Sequence, residues 1–156
     1  MWLIKSFEDL TATELYGILQ LRATVFVVEQ NCVYNDLDDK DKKAQHIFYF
    51  DYKKGMVLAH ARILPAGASY EEISIGRVVT HPSVRKTGMG KELMQETLSY
   101  INRHFGNEPI RIGAQTYLTL FYESFGFVPC SKEYLEDGIP HIEMLKKAPK
   151  SSLPFT

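Results

Sequence analysis

The densest chemistry in the chain lies in Val78-Val79-Thr80-His81-Pro82-Ser83-Val84-Arg85-Lys86-Thr87-Gly88-Met89-Gly90-Lys91. Two glycines and the cations Arg85, Lys86 and Lys91 stand between an apolar run closed by proline and a stretch of helical periodicity. A helix N-terminus leaves several N–H groups without partners and carries partial positive charge. Glycine lets the backbone approach a bulky anion, so Gly88 and Gly90 point to phosphate binding. Spacing narrows the choice of phosphate. A Walker loop would need glycine at Arg85 and a hydroxyl at Glu92, and a GxGxxG fingerprint would need glycine at Leu93. Neither ATP nor NAD is favoured. What remains is R-x-x-G-x-G, from Arg85 to Gly90.

Other side chains could move protons or hold a substrate. Glu29 follows an apolar helix face and should stand at its C-terminal end, facing a cleft. His46 and His141 each open a strand, and any of the three could act as a base through water. For each histidine a structural role is the simpler alternative. Arg22 falls on a core-facing stripe and needs a partner or a solvated cleft. With Arg77 it could organise the cleft, or it could form an internal ion pair. No His or Cys spacing fits a zinc site, so no metal is expected, and Cys32 and Cys130 lack the context of a nucleophile.

These groups need positioning elements. Residues 2–7 read as a strand. Thr11 and Glu14 form a capping-box pattern ahead of a helix with Leu15, Ile18, Leu19, Val25 and Phe26 on one face. Residues 31–45 read as a polar loop, in which Asp36 to Lys43 is most simply solvated, the alternative being that it borders the entrance to a substrate cleft. Strands follow at His46–Phe50, Met56–Leu64 and Ile73–Thr80, the last stopped by Pro82. Gly88 to Phe105 is the strongest helix, with Leu93, Met94, Thr97, Leu98, Ile101 and Phe105 as its buried stripe. Ile110–Ala114 reads as a strand, Leu118–Phe125 as a short helix, and Phe127–Tyr134 and His141–Leu145 as strands around a turn at Asp137–Pro140.

The chain of 156 residues, 45% apolar and 24% charged, fits one globular domain over 1–145 with a tail over 146–156. A net charge of -1 gives no general grip on nucleic acid, so none is expected. The first residues lack the basic and apolar runs of a secretory signal, and no apolar stretch is long enough to span a membrane. With only two cysteines, a reducing cytoplasm is the expected compartment. A homodimer is left open.

The R-x-x-G-x-G turn resembles the acyl-CoA pyrophosphate loop of the GNAT acetyltransferases. Phe121-Tyr122-Glu123-Ser124-Phe125-Gly126-Phe127 is similar to the FYexxGF element late in such chains, and Gln115 stands where they commonly have Asn. Arg22 to Gln30, His46, Ile75 to Val78, Gly113 to Gln115 and Glu136 to His141 resemble the ElaA-like branch, up to about residue 145. The resemblance implies an α/β fold: a mixed six- to seven-stranded sheet with splayed central parallel strands and helices on both faces.

It also implies acetyl-CoA as cosubstrate and an amine as acceptor. Pantetheine would pair with Val78 and Thr80, and the pyrophosphate would lie on Arg85, Lys86, Thr87, Gly88, Met89 and Gly90 beside Lys91, with Gln115 lining the site. An N–H near Val79 would stabilise the thioester oxyanion, and Tyr122 would protonate the leaving thiolate. Glu29 and His46 are the favoured bases, because the branch resemblance includes both. Arg22, Glu29, Gln30, Arg77 and His141 are the expected substrate contacts. A module that binds acyl-CoA without turnover would keep the same glycine turn and needs neither Tyr122 nor a base.

Overall fold

The computed structural model describes residues 1–148. Its elements are β1 (Trp2–Ser6), α1 (Ala12–Arg22), β2 (Gln45–Asp51), β3 (Met56–Leu64), β4 (Ile73–Thr80), α2 (Met89–Phe105), β5 (Ile110–Gln115), α3 (Thr119–Glu123), β6 (Val128–Pro129), β7 (Tyr134–Glu136) and β8 (Ile139–Lys146). One sheet holds all the strands in the order β1-β2-β3-β4-β5-β8-β6, with β7 also on β8. Only β4 and β5 run parallel; the other pairs are antiparallel. No helix among the described residues is long and apolar enough to cross a membrane.

The strand expected over Phe127–Tyr134 is two short strands, β6 and β7, which pair with opposite ends of one edge of β8. Between them the chain bulges. Ser131 Oγ accepts the Glu143 N–H at 2.9 Å, so a side chain replaces a ladder bond. β8 runs to Lys146, one residue into the expected tail, and residues 149–156 lie outside the described residues.

Alternation along β2 builds two cores. Ile47 joins Ala61, Ile63, Leu93, Met94, Ile101 and Ile112 beneath α2. Phe48 and Phe50 join Ile18, Leu21, Val25 and Val79 beneath α1. Helices therefore cover both faces. α1 starts where expected: Thr11 Oγ1 accepts the Glu14 N–H at 3.1 Å, and the Glu14 carboxylate accepts the Thr11 N–H at 2.9 Å. Its buried face is Ile18, Leu21, Arg22 and Val25; Leu15, Leu19 and Phe26 flank it half-buried. After Arg22 the helix widens into π-type turns over Ala23–Glu29. Gly17 lets α1 approach β3 closely, since a Cβ there would lie 2.7 Å from Val57 Cγ2. On α2, Leu98 is half-buried and Phe105 is exposed.

Residues 36–43 are not a solvated run. Asp36, Asp38 and Asp41 close a ring of alternating charge with Arg22, Arg62 and Arg77. Asp36 takes Arg22 Nε and Arg77 Nε, each at 2.8 Å. Asp41 Oδ1 takes Arg22 Nη1 at 2.7 Å and Arg62 Nη1 at 3.1 Å. Asp38 grips Arg62 with both oxygens at 2.7 Å and lies 3.5 Å from Arg77. The physical reason is desolvation: Arg22 is fully buried and Arg62 nearly so, and each must find an anion. The ring ties the loop to α1, β3 and β4.

The ring makes stability depend on pH. The bidentate hydrogen bonds from Arg62 hold Asp38 below the ordinary carboxylate range. Burial alone would raise Asp41, but the hydrogen bonds and charges of Arg22 and Arg62 outweigh it and hold it low. A depressed folded pKa lends stability that is complete above the unfolded value of about 4 and fades as pH falls below it. Urea unfolding should show that loss in the wild type. Asp41→Ala, which takes one of two carboxylate partners from each of the buried Arg22 and Arg62, should cost about 3 kcal/mol at neutral pH.

Candidate active site

β4 and β5 pair only at Ile73 with Ile110 and Ser74 with Arg111. Beyond these pairs the strands part, and from Ile75 onward the β4 edge that faces β5 has no strand partner. At Arg77 the backbone is left-handed, with φ 50°, and the β3–β4 register shifts between His60 and Arg62. Two cavities of about 370 and 360 Å³ open along the parted strands. Both are lined by Phe26, Gln30, Val78, Gln115, Leu118 and Tyr122, which therefore form their common wall.

The first cavity reaches the glycine turn. Val78, Val79, Thr80, Arg85 and Gly90 line it, with Glu29 opposite. Gly88 caps α2 with φ 90°, a conformation that L side chains resist, and Lys86 is left-handed at φ 65°. Arg85, Lys86, Thr87 and Lys91 are exposed around the turn, while Met89 is half-buried against the core. Arg85 Nη2 lies 2.6 Å from Glu29 Oε1. The amides of Gln30 and Gln115 face each other at 3.2 Å across the common wall. Tyr122 is buried, and that burial holds its phenol well above the usual pKa, so it stays protonated across neutral pH.

The second cavity is polar. Arg77 and His141 line it with Cys32, Tyr34, Tyr70 and Glu136. Of these, Tyr34 and Tyr70 are not singled out by the sequence, Cys32 is set aside there as a nucleophile, and Glu136 enters only through the family resemblance. The signal for them was weak: their positions lie in loops and a short strand whose approach depends on the fold. Tyr34 donates to Asp36 at 2.9 Å and lies beneath the Arg77 guanidinium at 5.8 Å. The hydroxyls of Tyr70 and Tyr134 converge over Gly113, where each would stand 2.9 Å from a Cβ.

Of the expected turn residues, Lys86, Thr87, Gly88, Met89 and Lys91 line neither cavity, and of the expected base and substrate residues Arg22 and His46 are not in the cleft. Arg22 is sealed in the charge ring and touches neither cavity, so it is an internal ion pair and not a substrate contact. His46 is fully buried and lines neither cavity. Its Nε2 donates to the Asp41 carbonyl at 2.9 Å, so its Nδ1 accepts from His60 Nε2 at 3.0 Å. Burial pushes both imidazoles below their ordinary pKa, and for His60 the His46 neighbour adds to that push. His46 thus has no free nitrogen to offer an acceptor. A strand position and a branch resemblance drew attention to it; alternation along β2 turned it inward.

A family model described as acetyltransferase (GNAT) domain matches residues 14–148. The chain belongs to the GNAT acetyltransferase family. This GNAT chain is 40% identical over 146 residues to Protein ElaA of Escherichia coli, covering 94% of this chain and 95% of that protein. The crystal structure of E. coli ElaA superposes with a TM-score of 0.86. That of an acyl-CoA N-acyltransferase from Pseudomonas aeruginosa, 38% identical, superposes at 0.87 over 94% of this chain and 99% of that one. An aminoglycoside 6'-N-acetyltransferase complexed with coenzyme A, 14% identical at a TM-score of 0.69, shares the fold. GNAT membership supports acyl transfer as the general activity.

The geometry of the glycine turn can be tested by stability alone. Gly88→Ala meets no neighbour within 4 Å but must hold φ 90°, and should cost about 1–2 kcal/mol in chemical denaturation. Gly90→Ala lies in the helix with its nearest atom, Thr80 Cγ2, at 3.9 Å, and should be neutral or stabilising by up to about 1 kcal/mol.

Proposed function

We propose that the protein moves an acetyl group from acetyl-CoA directly to a primary amine, of a small molecule or an exposed peptide amine. The observation that carries this reading is the meeting of two cavities at one wall, where β4 and β5 part. One cavity ends at a cationic glycine turn that suits a diphosphate. The other is polar and suits an acceptor. A thioester delivered along β4 would reach the wall from one side and an amine from the other.

The free edge of β4 can take the pantetheine amides as an added strand, on the backbone of Val78 and Thr80. The diphosphate would lie on the N–H groups of Arg85 to Gly90, with Lys86 and Lys91 supplying charge. An N–H of that free edge next to Val79 would face the oxyanion that forms as nitrogen attacks the carbonyl. CoA leaves as a thiolate, and Tyr122, a phenol that is protonated at neutral pH, can give it a proton. A reducing cytoplasm suits the two free thiols, Cys32 and Cys130.

Glu29 belongs to the cofactor side, because its carboxylate holds Arg85. An incoming diphosphate competes for the same guanidinium. Glu29→Gln should therefore tighten acetyl-CoA binding about two- to fivefold by calorimetry, since an exposed ion pair is worth up to about 1 kcal/mol. The double variant Gly88→Asp, Gly90→Asp should bind no acetyl-CoA; unchanged affinity would refute the placement.

A screen of amines and peptide N-termini, coupled to detection of free thiol, tests the reaction itself. Thiol release with none of them, from a protein that binds acetyl-CoA, would refute transfer to an amine. With an accepted amine, Tyr122→Phe should lower kcat about a hundredfold, the low end for loss of general acid catalysis, and leave acetyl-CoA affinity unchanged.

A further inference from the structure

The acceptor cavity contains an imidazole whose partners decide which nitrogen is bare. His141 Nδ1 lies 2.7 Å from the Ile139 carbonyl oxygen. A carbonyl can only accept, so Nδ1 carries the proton of the neutral ring and Nε2 keeps its lone pair. Nε2 lies 3.3 Å from Glu136 Oε2, and a neutral ring with a bare Nε2 makes no hydrogen bond to that carboxylate. The pair gains its hydrogen bond when Nε2 takes a proton. His141 has little exposed surface and its ring stacks on Tyr134 at 5.9 Å, while the Glu136 side chain is largely exposed and free to turn.

Register puts this nitrogen near the reaction. His141 on β8 pairs with Gln115 on β5, so their side chains share one sheet face with Cβ atoms about 5 Å apart. Gln115 is part of the wall common to both cavities. Of the three base candidates, His46 is sealed and Glu29 is bound to Arg85 on the cofactor side. The charged and titratable groups near His141 are Glu136 on β7, Tyr134 behind the ring, Asp137 in the turn and Cys32, whose thiol donates to the Asp137 carbonyl at 3.4 Å. Glu143 lies two residues along β8 on the same face, and Tyr34, Asp38, Lys40, Arg62, Tyr70 and Arg77 also line the cavity.

We infer that His141 is the general base, and that with Glu136 it forms the site for the acceptor's ammonium group. The inference rests on the proposed acetyl transfer. An alkylammonium places one N–H on Nε2 and a second on the Glu136 carboxylate. Nε2 takes the first proton, and the imidazolium is held by Glu136. The freed lone pair attacks the thioester carbon, the C–N bond forms, and the C–S bond breaks. The proton given to the thiolate by Tyr122 is replaced by the second proton lost from the new amide nitrogen. The proton on His141 goes to solvent, one per turnover.

The test begins with the ring itself. Nitrogen-15 imidazole spectra of the wild type, assigned by the signal lost in His141→Ala, should show neutral His141 protonated on Nδ1; protonation on Nε2 overturns the inference. Thiol release from acetyl-CoA is then followed against pH with butylamine as acceptor. His141→Ala should lower kcat/KM about a hundredfold or more and lose the acidic limb of the profile, and added imidazole should restore turnover. A wild-type acidic limb in that variant overturns the assignment. Glu136→Gln should raise KM for butylamine about tenfold, with Glu136→Asp recovering part of the loss; an unchanged KM removes Glu136 from the site. If the wild type binds acetyl-CoA but releases no thiol with butylamine or any other amine of the screen, the transfer reading fails, and the nitrogen spectra still decide the state of His141.

Discussion

Everything at the cleft depends on a sheet that stops being a sheet. β4 and β5 hold together for two residue pairs and then separate, leaving backbone donors and acceptors without partners. Unpaired backbone groups are costly when buried, so such an opening persists only where water or a ligand can satisfy them. A pantetheine arm, with its two amides, is a ligand of that kind. The glycine turn, the tyrosine and the acceptor cavity all take their positions from this opening.

The ring of six charges works on the same region from the other side. Arg77 stands in the left-handed bulge of β4, and its guanidinium is drawn toward Asp36. The same aspartate holds Arg22 at the end of α1, and Asp41 and Asp38 extend the ring to Arg62 on β3. Three cations balance three anions, so the loop over residues 31–44 is fixed against the sheet by groups that cannot be left alone in the interior. One wall of the acceptor cavity is built from that loop. Its shape therefore follows from electrostatic closure as much as from apolar packing.

The two cavities divide the ionisable residues between them. Glu29 and Arg85 face each other at the glycine-turn end. His141 and Glu136 face each other in the polar cavity. Tyr122, its phenol pushed up by burial, stands on the wall between. In the proposed reaction this partition would let one end bind a polyanion and the other a cation, without the two ligands competing for the same groups.

Local sequence determined the parts whose physics is local. The capping box at Thr11, the strand over His46–Phe50, the stop at Pro82, the glycine turn and the periodicity of α2 could all be read without the fold, because each depends on neighbours within a few residues. The resemblance of two motifs extended that reading to the family, the parted strands and Tyr122. What tertiary structure decided was the pairing of distant charges. Asp36 to Lys43 has the composition of a solvated loop, and only the burial of Arg22 and Arg62 turns its carboxylates inward. His46 and His141 look alike as strand-opening histidines. One meets the interior and the other a cavity, because facing depends on which sheet surface each strand turns toward its neighbours, and a strand's own residues do not encode that.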